Sequence, residues 1–328
     1  MAQTTSNPGA VYHRGVNLLA AVTTFFALLV VTMGGLTKSK EAGLTIAEPV
    51  YYQFNWDWYF IENLNTEYTH RSLVAVLSGL TLLLVGAVLF TDKRPGVRKL
   101  AVGTLLTLIA QAVLGAMTVA YFAKMKTSVP HALLGQTFLC LAASLTLLTS
   151  KSWIEAPAPV RSTQNPPLKK LGQWTLIAIA VQILLGGALR HDDQAAAMRQ
   201  GHFGIFAWHL MAHLTGMLVV AYFISRILVR VFREHRNQPE LLGPARKIMT
   251  LLGLQILLGF GAGILKVLTL DEANSPPPLR VIVATSHLVV GALILATTVI
   301  LTLRAHKHIQ VDVPSLETGG GRVVGAAA

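Results

Sequence analysis

Apolar residues in this chain come in long unbroken runs, not in the short alternations of a surface strand or a one-sided helix. Eight of these runs approach the roughly 20 residues that a helix needs to cross a bilayer. They cover residues 16–36, 67–91, 100–123, 131–150, 172–189, 208–228, 248–270 and 281–303. The first run is too long for the core of a signal peptide and no small-residue cleavage site follows it, so it counts as a helix. The pattern predicts an all-α polytopic membrane protein of eight transmembrane helices.

The runs repeat. The third carries Gln111, Leu114 and Gly115 and the seventh carries Gln255, Leu258 and Gly259, the same Q-x-x-L-G string. The fifth has Gln182, Leu185, Gly186 and Gly187 where the first has Met33, Gly34 and Gly35. Segments one to four therefore resemble segments five to eight. An even number of crossings per half makes the halves run the same way, related by an axis along the membrane normal. The expected organisation is two pseudo-symmetric four-helix bundles, residues 1–150 and 172–305, joined by a Pro-rich linker at 151–171 and followed by a flexible tail at 306–328. The glycines read as close-approach points between helices, and the buried glutamine amides need partners.

Composition agrees with a membrane chain: 53% hydrophobic and 13% charged, against about 25% charged in soluble domains. The net charge of +12 lies in the short connections, so it is a topology signal and nucleic-acid binding is set aside. Arg14, the Lys93 to Lys99 cluster, Lys151, Arg161, Lys169, Lys170, the Arg226 to Lys247 cluster, Arg304, Lys307 and Arg322 fall on one side. Fewer positive charges, among them Lys38, Lys40, Arg190 and Arg280, fall on the other. Both termini are expected in the cytoplasm. The outer loop's Phe54, Trp56, Trp58, Tyr59 and Phe60 are expected at the lipid headgroups. A single cysteine, Cys140, excludes an intramolecular disulfide and any Cys-based metal site, so a bound metal would be held by imidazole.

Ionisable residues inside apolar runs are costly and are functional candidates by default. The second run opens with Glu67, His70 and Arg71, the fourth with Pro130 and His131, the sixth has His209 and His213, and the eighth has His287. Each even-numbered run has a histidine near its outer end, and the odd-numbered runs have none. One such histidine is most simply a hydrogen-bonded core imidazole. Four at one depth, two per half, predict two sites where a pair of imidazoles holds a haem. Glu67, three residues before His70, shares its helix face. It is either a helix-end carboxylate favoured by the dipole or a group that handles protons. Arg71 pairs with Glu67 or with a haem propionate, or reaches to the headgroups.

The E-Y-T-H-R string at Glu67 to Arg71, "GGLTKSKEAGLTI" from Gly34 to Ile46, "QAVLGAMTV" from Gln111 to Val119 and "HALLGQ" from His131 to Gln136 resemble the haem A synthase family. That resemblance implies a bacterial inner-membrane enzyme that oxidises the C8 methyl of haem O to the formyl of haem A for cytochrome oxidase. It implies that His70 and His131 face the substrate haem O, with Glu67 catalytic and Arg71 beside it. It further implies a haem b cofactor held by His287 and a histidine of the sixth segment. His209 is favoured there over His213, because His209 precedes Arg226 by the spacing that separates His287 from Arg304. Haem O synthase and an electron donor are the partners implied, and a homo-oligomer is compatible with the pattern. The chain departs from the family in lacking the cysteine pair of the first outer loop, in reading His-Leu in the sixth segment, and in carrying Asp192 and Asp193. A di-haem electron carrier would need the same histidines without Glu67. A transporter would need broken helices at the midplane, where no Pro or Gly interruption is evident.

Overall fold

The computed structural model describes residues 11–40, 62–120, 125–191, 203–269, 272 and 276–311. Among them, eight helices are long and apolar enough to span a membrane. These are α1 (Arg14–Ser39), α2 (Glu62–Thr91), α3 (Pro95–Ala120), α4 (Met125–Leu148), α5 (Leu168–His191), α6 (Phe203–Glu234), α7 (Pro239–Leu268) and α8 (Pro278–His308). The chain is an all-α, multi-pass membrane protein. The outer-loop aromatic cluster (Phe54, Trp56, Trp58, Tyr59, Phe60), Asp192, Asp193, the glycine-rich string beyond Lys40 and the tail from residue 312 lie outside the described residues.

Most helices overrun their apolar stretch. Polar ends continue the helix while long basic side chains reach past the apolar region, as α6 does through Arg230 and Arg233. Proline takes the first position of α3, α7 and α8, where its missing N–H costs nothing and its fixed φ suits the helix. α4 begins well before the predicted 131 and passes through Pro130. The carbonyl left without a donor by that ring is that of Lys126, an exposed residue near the helix start where water can replace it.

Neighbouring helices close two rings, α1–α2–α3–α4 and α5–α6–α7–α8. Between the rings α1 packs on α8, α4 on α5, and α4 on α8. Exchanging the two sets of four helices maps each of these pairs onto another, and maps α4–α8 onto itself. A two-fold axis passing between α4 and α8 has this property. Burial agrees: 50% of the apolar window of α4 and 44% of that of α8 are covered by protein, against 6% for the peripheral α7. A methyl on Gly35 of α1 would meet Leu288 of α8 at 3.3 Å, and one on Gly187 of α5 would meet Val129 of α4 at 3.0 Å. These two glycines therefore let the rings approach each other. A continuous core of Phe138, Ala142, Ile179, Ile227, Ala292 and Leu295 crosses the join. Outward faces stay apolar, with Phe90, Trp208 and Leu257 exposed to where lipid would lie. Buried Thr23, Thr81, Thr104, Thr175 and Thr298 return their hydroxyls to the carbonyl four residues back, which keeps these five hydroxyls paired in an apolar setting.

The side opposite the histidines is tied by polar contacts. Arg94 pairs with Asp92 at 2.5 Å and donates to the Leu148 carbonyl at 2.8 Å, joining the α2–α3 turn to the end of α4. Arg304 of α8 donates to the Glu240 carbonyl at the start of α7. The linker holds one helical turn, Lys151–Ile154, whose first N–H groups include Trp153 bonded to the Ser150 hydroxyl. It then forms β1 (Val160–Ser162), which pairs in parallel with β2 (Ile309–Val311) directly after α8. The free tail expected from residue 306 is thus helical to His308 and paired through Val311, the β-branched and extended residues there suiting a strand.

Candidate functional site

Each ring has one histidine on α2 or α6 and another on α4 or α8, helices that stand diagonally opposite in their ring. Their imidazoles point inward onto glycines of the preceding helix. A methyl built on Gly34 would stand 3.0 Å from His70, on Gly115 3.2 Å from His131, on Gly186 2.9 Å from His213 and on Gly259 2.9 Å from His287. The four glycines are the ones the internal repeat aligns, so the small residues of the repeat make room for rings as well as for backbones. Within each half the two histidines thus stand on diagonal helices, His70 with His131 and His213 with His287.

The sixth segment's two candidates separate here. His213, not His209, makes the glycine contact that the other three histidines make. His209 stands one turn nearer the helix start, beside the exposed Trp208. Spacing to the nearest arginine favoured His209 because it assumed that α6 and α8 leave the membrane at the same point. α6 instead carries its basic end on to Glu234.

Position four before each glycine supplies a second partner. His70 Nδ1 donates to the Val30 carbonyl at 3.1 Å, and His287 Nδ1 donates to the Gln255 carbonyl at 3.2 Å. The Gln111 amide donates to the His131 carbonyl at 3.0 Å. The Gln182 amide donates to the His213 carbonyl at 3.0 Å and lies 3.1 Å from its Nδ1. These glutamines fill space left by glycines just after the histidines: Gln111 against Gly135, Gln182 against Gly216 and Gln255 against Gly291. The glutamines were visible in the sequence. Their reciprocal glycines were not singled out, although a glycine three or four residues after a membrane histidine is a legible signal.

The position three residues before each histidine distinguishes the halves. In the first half it holds Glu67 on α2 and Ser128 on α4; in the second it holds Leu210 on α6 and Ala284 on α8. Glu67 and Ser128 are 5% and 8% exposed, and Glu67 Oε2 and Ser128 Oγ are both buried without a hydrogen-bond partner. The other carboxylate oxygen of Glu67 is held by Arg71 in an ion pair. Arg71 corresponds to Leu214 after His213. A charged pair in one ring is therefore a leucine pair in the other. Nothing in the sequence reading had singled out Ser128, and only alignment of the halves on His213 exposes the contrast.

Where the rings meet on the histidine side, Arg190 of α5 donates to the Gly35 carbonyl at 2.7 Å and to the Ser39 hydroxyl at 2.6 Å, and Ser39 bonds Thr285 of α8. Against known families, residues 61–270 match the family model COX15-CtaA, described as cytochrome oxidase assembly protein. No curated protein matches the chain. The match includes Glu67, His70, His131, His209 and His213 and stops before α8.

Proposed function

We propose that this chain, which belongs to the COX15-CtaA cytochrome oxidase assembly protein family, makes haem A by oxidising the C8 methyl of haem O to a formyl. Assembly of cytochrome oxidase is the role of the family; the reaction is our reading of the site. Residues 1–150 would hold haem O between His70 and His131, and residues 172–305 would hold a haem b between His287 and His213. Two imidazoles facing each other from diagonal helices suit a six-coordinate haem.

The observation that carries the reading is the buried carboxylate and hydroxyl that stand three residues before the histidines in the first half and not in the second. A pure electron carrier has no need of a buried carboxylate beside the haem, and in the second half Leu210 and Ala284 take the positions of Glu67 and Ser128. The first half instead keeps a carboxylate oxygen and a hydroxyl buried with no partner. A buried group left unsatisfied costs about 1–3 kcal/mol or more, which argues for a use. When bound, the haem of the second half supplies electron transfer. Each insertion of a dioxygen-derived oxygen into the methyl takes up two electrons and two protons and releases one water, and the second leaves a diol that loses water to the formyl; Glu67 Oε2 would relay a proton or hold a water, while Arg71 keeps the other oxygen fixed. Ser128 offers a donor to an oxygen arriving at the methyl carbon. Haem O synthase as supplier and a separate electron donor complete the proposed partners.

Glu67→Gln tests this. It keeps shape and hydrogen bonding but cannot ionise, so haem O should remain bound while haem A falls by about 100-fold or more. Extracted pigments resolved by chromatography should show haem O, with some alcohol, and little formyl haem. Normal haem A from that variant returns Glu67 to the role of a helix-end carboxylate.

A further inference from the structure

A cavity of about 330 Å³ opens between α5, α6 and the linker, on the side opposite the histidines, and belongs to neither haem site. Asn165 and Pro166 of the linker, Trp174 of α5, and Tyr222, Phe223 and Arg226 of α6 line it. Buried Arg230, one turn after Arg226, donates to the Pro166 carbonyl at 3.0 Å and so holds the linker against α6. The ring centroids of Trp174 and Phe223 are 6.4 Å apart, and those of Phe223 and Tyr222 5.4 Å, so the three rings form one aromatic wall.

Arg226 lies deep for a cation on an exposed helix face. It stands eight residues, about 12 Å, before the end of α6 and inside the span Ala207–Glu234. It donates to the Tyr222 hydroxyl at 3.0 Å, and among the described residues no carboxylate pairs with it. The first ring shows what this depth otherwise holds. Aligned on His70 and His213, Arg226, Tyr222 and Phe223 fall on Leu83, Gly79 and Leu80; aligned on Gly34 and Gly186, Trp174 falls on Val22. Leu83 is 65% exposed and stands the same eight residues before the end of α2. At one depth the first half offers the bilayer a leucine, and the second offers it a guanidinium in an aromatic frame. A charge held there is costly unless an anion meets it, and the bilayer itself carries one.

We propose that this cavity binds one anionic phospholipid of the adjoining leaflet, its phosphodiester on Arg226 and its glycerol and first acyl carbons against Trp174 and Phe223. The planar fork of a guanidinium matches two phosphate oxygens, and amphipathic rings prefer the headgroup level. Toward the bilayer centre α5 and α6 go on exposing Ile177, Val181, Leu218 and Val219, apolar surface for the acyl chains to cover. A free phosphate ion would satisfy the guanidinium but has no use for three rings, so the lipid is the occupant that accounts for both. The excess of Lys and Arg on this side draws anionic lipids to it.

The test uses the purified full chain, delipidated in detergent, with dioleoylphosphatidylglycerol as probe and dioleoylphosphatidylcholine and inorganic phosphate for comparison. Native mass spectrometry should show one tightly retained phosphatidylglycerol per chain and weaker retention of phosphatidylcholine. Arg226→Leu should weaken that retention by about 10-fold or more. Leucine is what the twin helix already presents to lipid, so this variant keeps the fold. Phosphatidylglycerol with brominated acyl chains should quench a component of the tryptophan emission that Trp174→Phe removes, which separates this cavity from the rest of the basic surface. Unchanged retention in Arg226→Leu, or quenching that is the same in Trp174→Phe, overturns the proposal. So does equal retention of phosphatidylcholine. Displacement of the lipid by millimolar inorganic phosphate assigns the cavity to a free anion and overturns it as well.

Discussion

A single helical turn decides what a membrane imidazole can be used for. His70 and His213 rest on equivalent glycines, yet one is flanked by Glu67 and Arg71 and the other by Leu210 and Leu214. A low-dielectric surrounding makes the first pair consequential, because an ion pair there is far stronger than at a wet surface and a lone charge far more costly. The same reasoning decides between the two histidines of α6. His213→Ala should abolish the low-spin haem signal of the second half, whereas His209→Ala should leave it; difference spectra of the purified variants distinguish them. If only His209→Ala loses the signal, spacing to the basic residues is the better guide and the glycine contact is packing. At this scale the histidines, Glu67 and Arg71 were legible because ionisable residues stand out in apolar runs. Ser128 and Val30 were not, since a serine and a valine carry no signal until the two halves are laid over each other.

The helices themselves were the most legible feature, because a run of apolar residues long enough to cross a bilayer has few alternatives. Their ends were less so: α4 starts before Pro130 and α6 runs to Glu234, since polar ends obey capping and snorkelling, which hydropathy does not report. The turn between α2 and α3 shows what fixes such an end. Burial by itself would raise the Asp92 carboxyl, but hydrogen bonds and the charge of Arg94 outweigh it and hold the group below its ordinary value of 3.8. The folded state therefore favours the ionised form. Its contribution is fully present above that ordinary value and is lost as pH falls through the lower folded one. Asp92→Asn should cost on the order of 1–3 kcal/mol at neutral pH. The gap to the parent, measured by thermal unfolding in detergent, should narrow below pH 4 or so. A gap that stays constant with pH would assign the loss to packing.

For the whole molecule, the repeat in the sequence implied a two-fold relation, and the contact pattern has it. The path of the second connection could not be read in advance. A Pro-rich stretch resembles a free linker, and only the arrival of Ile309 beside Val160 gives it a strand to pair with. The bias of Lys and Arg towards this side predicts that it faces the cytoplasm. Cys140 is the only cysteine and is buried, so Cys140→Ala with Gln164→Cys should react with a membrane-impermeant maleimide only after the inner side is opened. Labelling of intact cells would reverse the orientation. The self-mapped contact of α4 with α8 also bears on origins. An axis through such a contact is what two copies of one four-helix chain possess when they pair as a symmetric dimer. Fusion of two such copies into one chain frees each to drift separately, and a fused pair can keep a charged turn in one ring while its twin turns to leucine. Two genes' worth of one symmetric four-helix protein thus becomes a single asymmetric chain, with the charged turn in one ring and the apolar turn in the other.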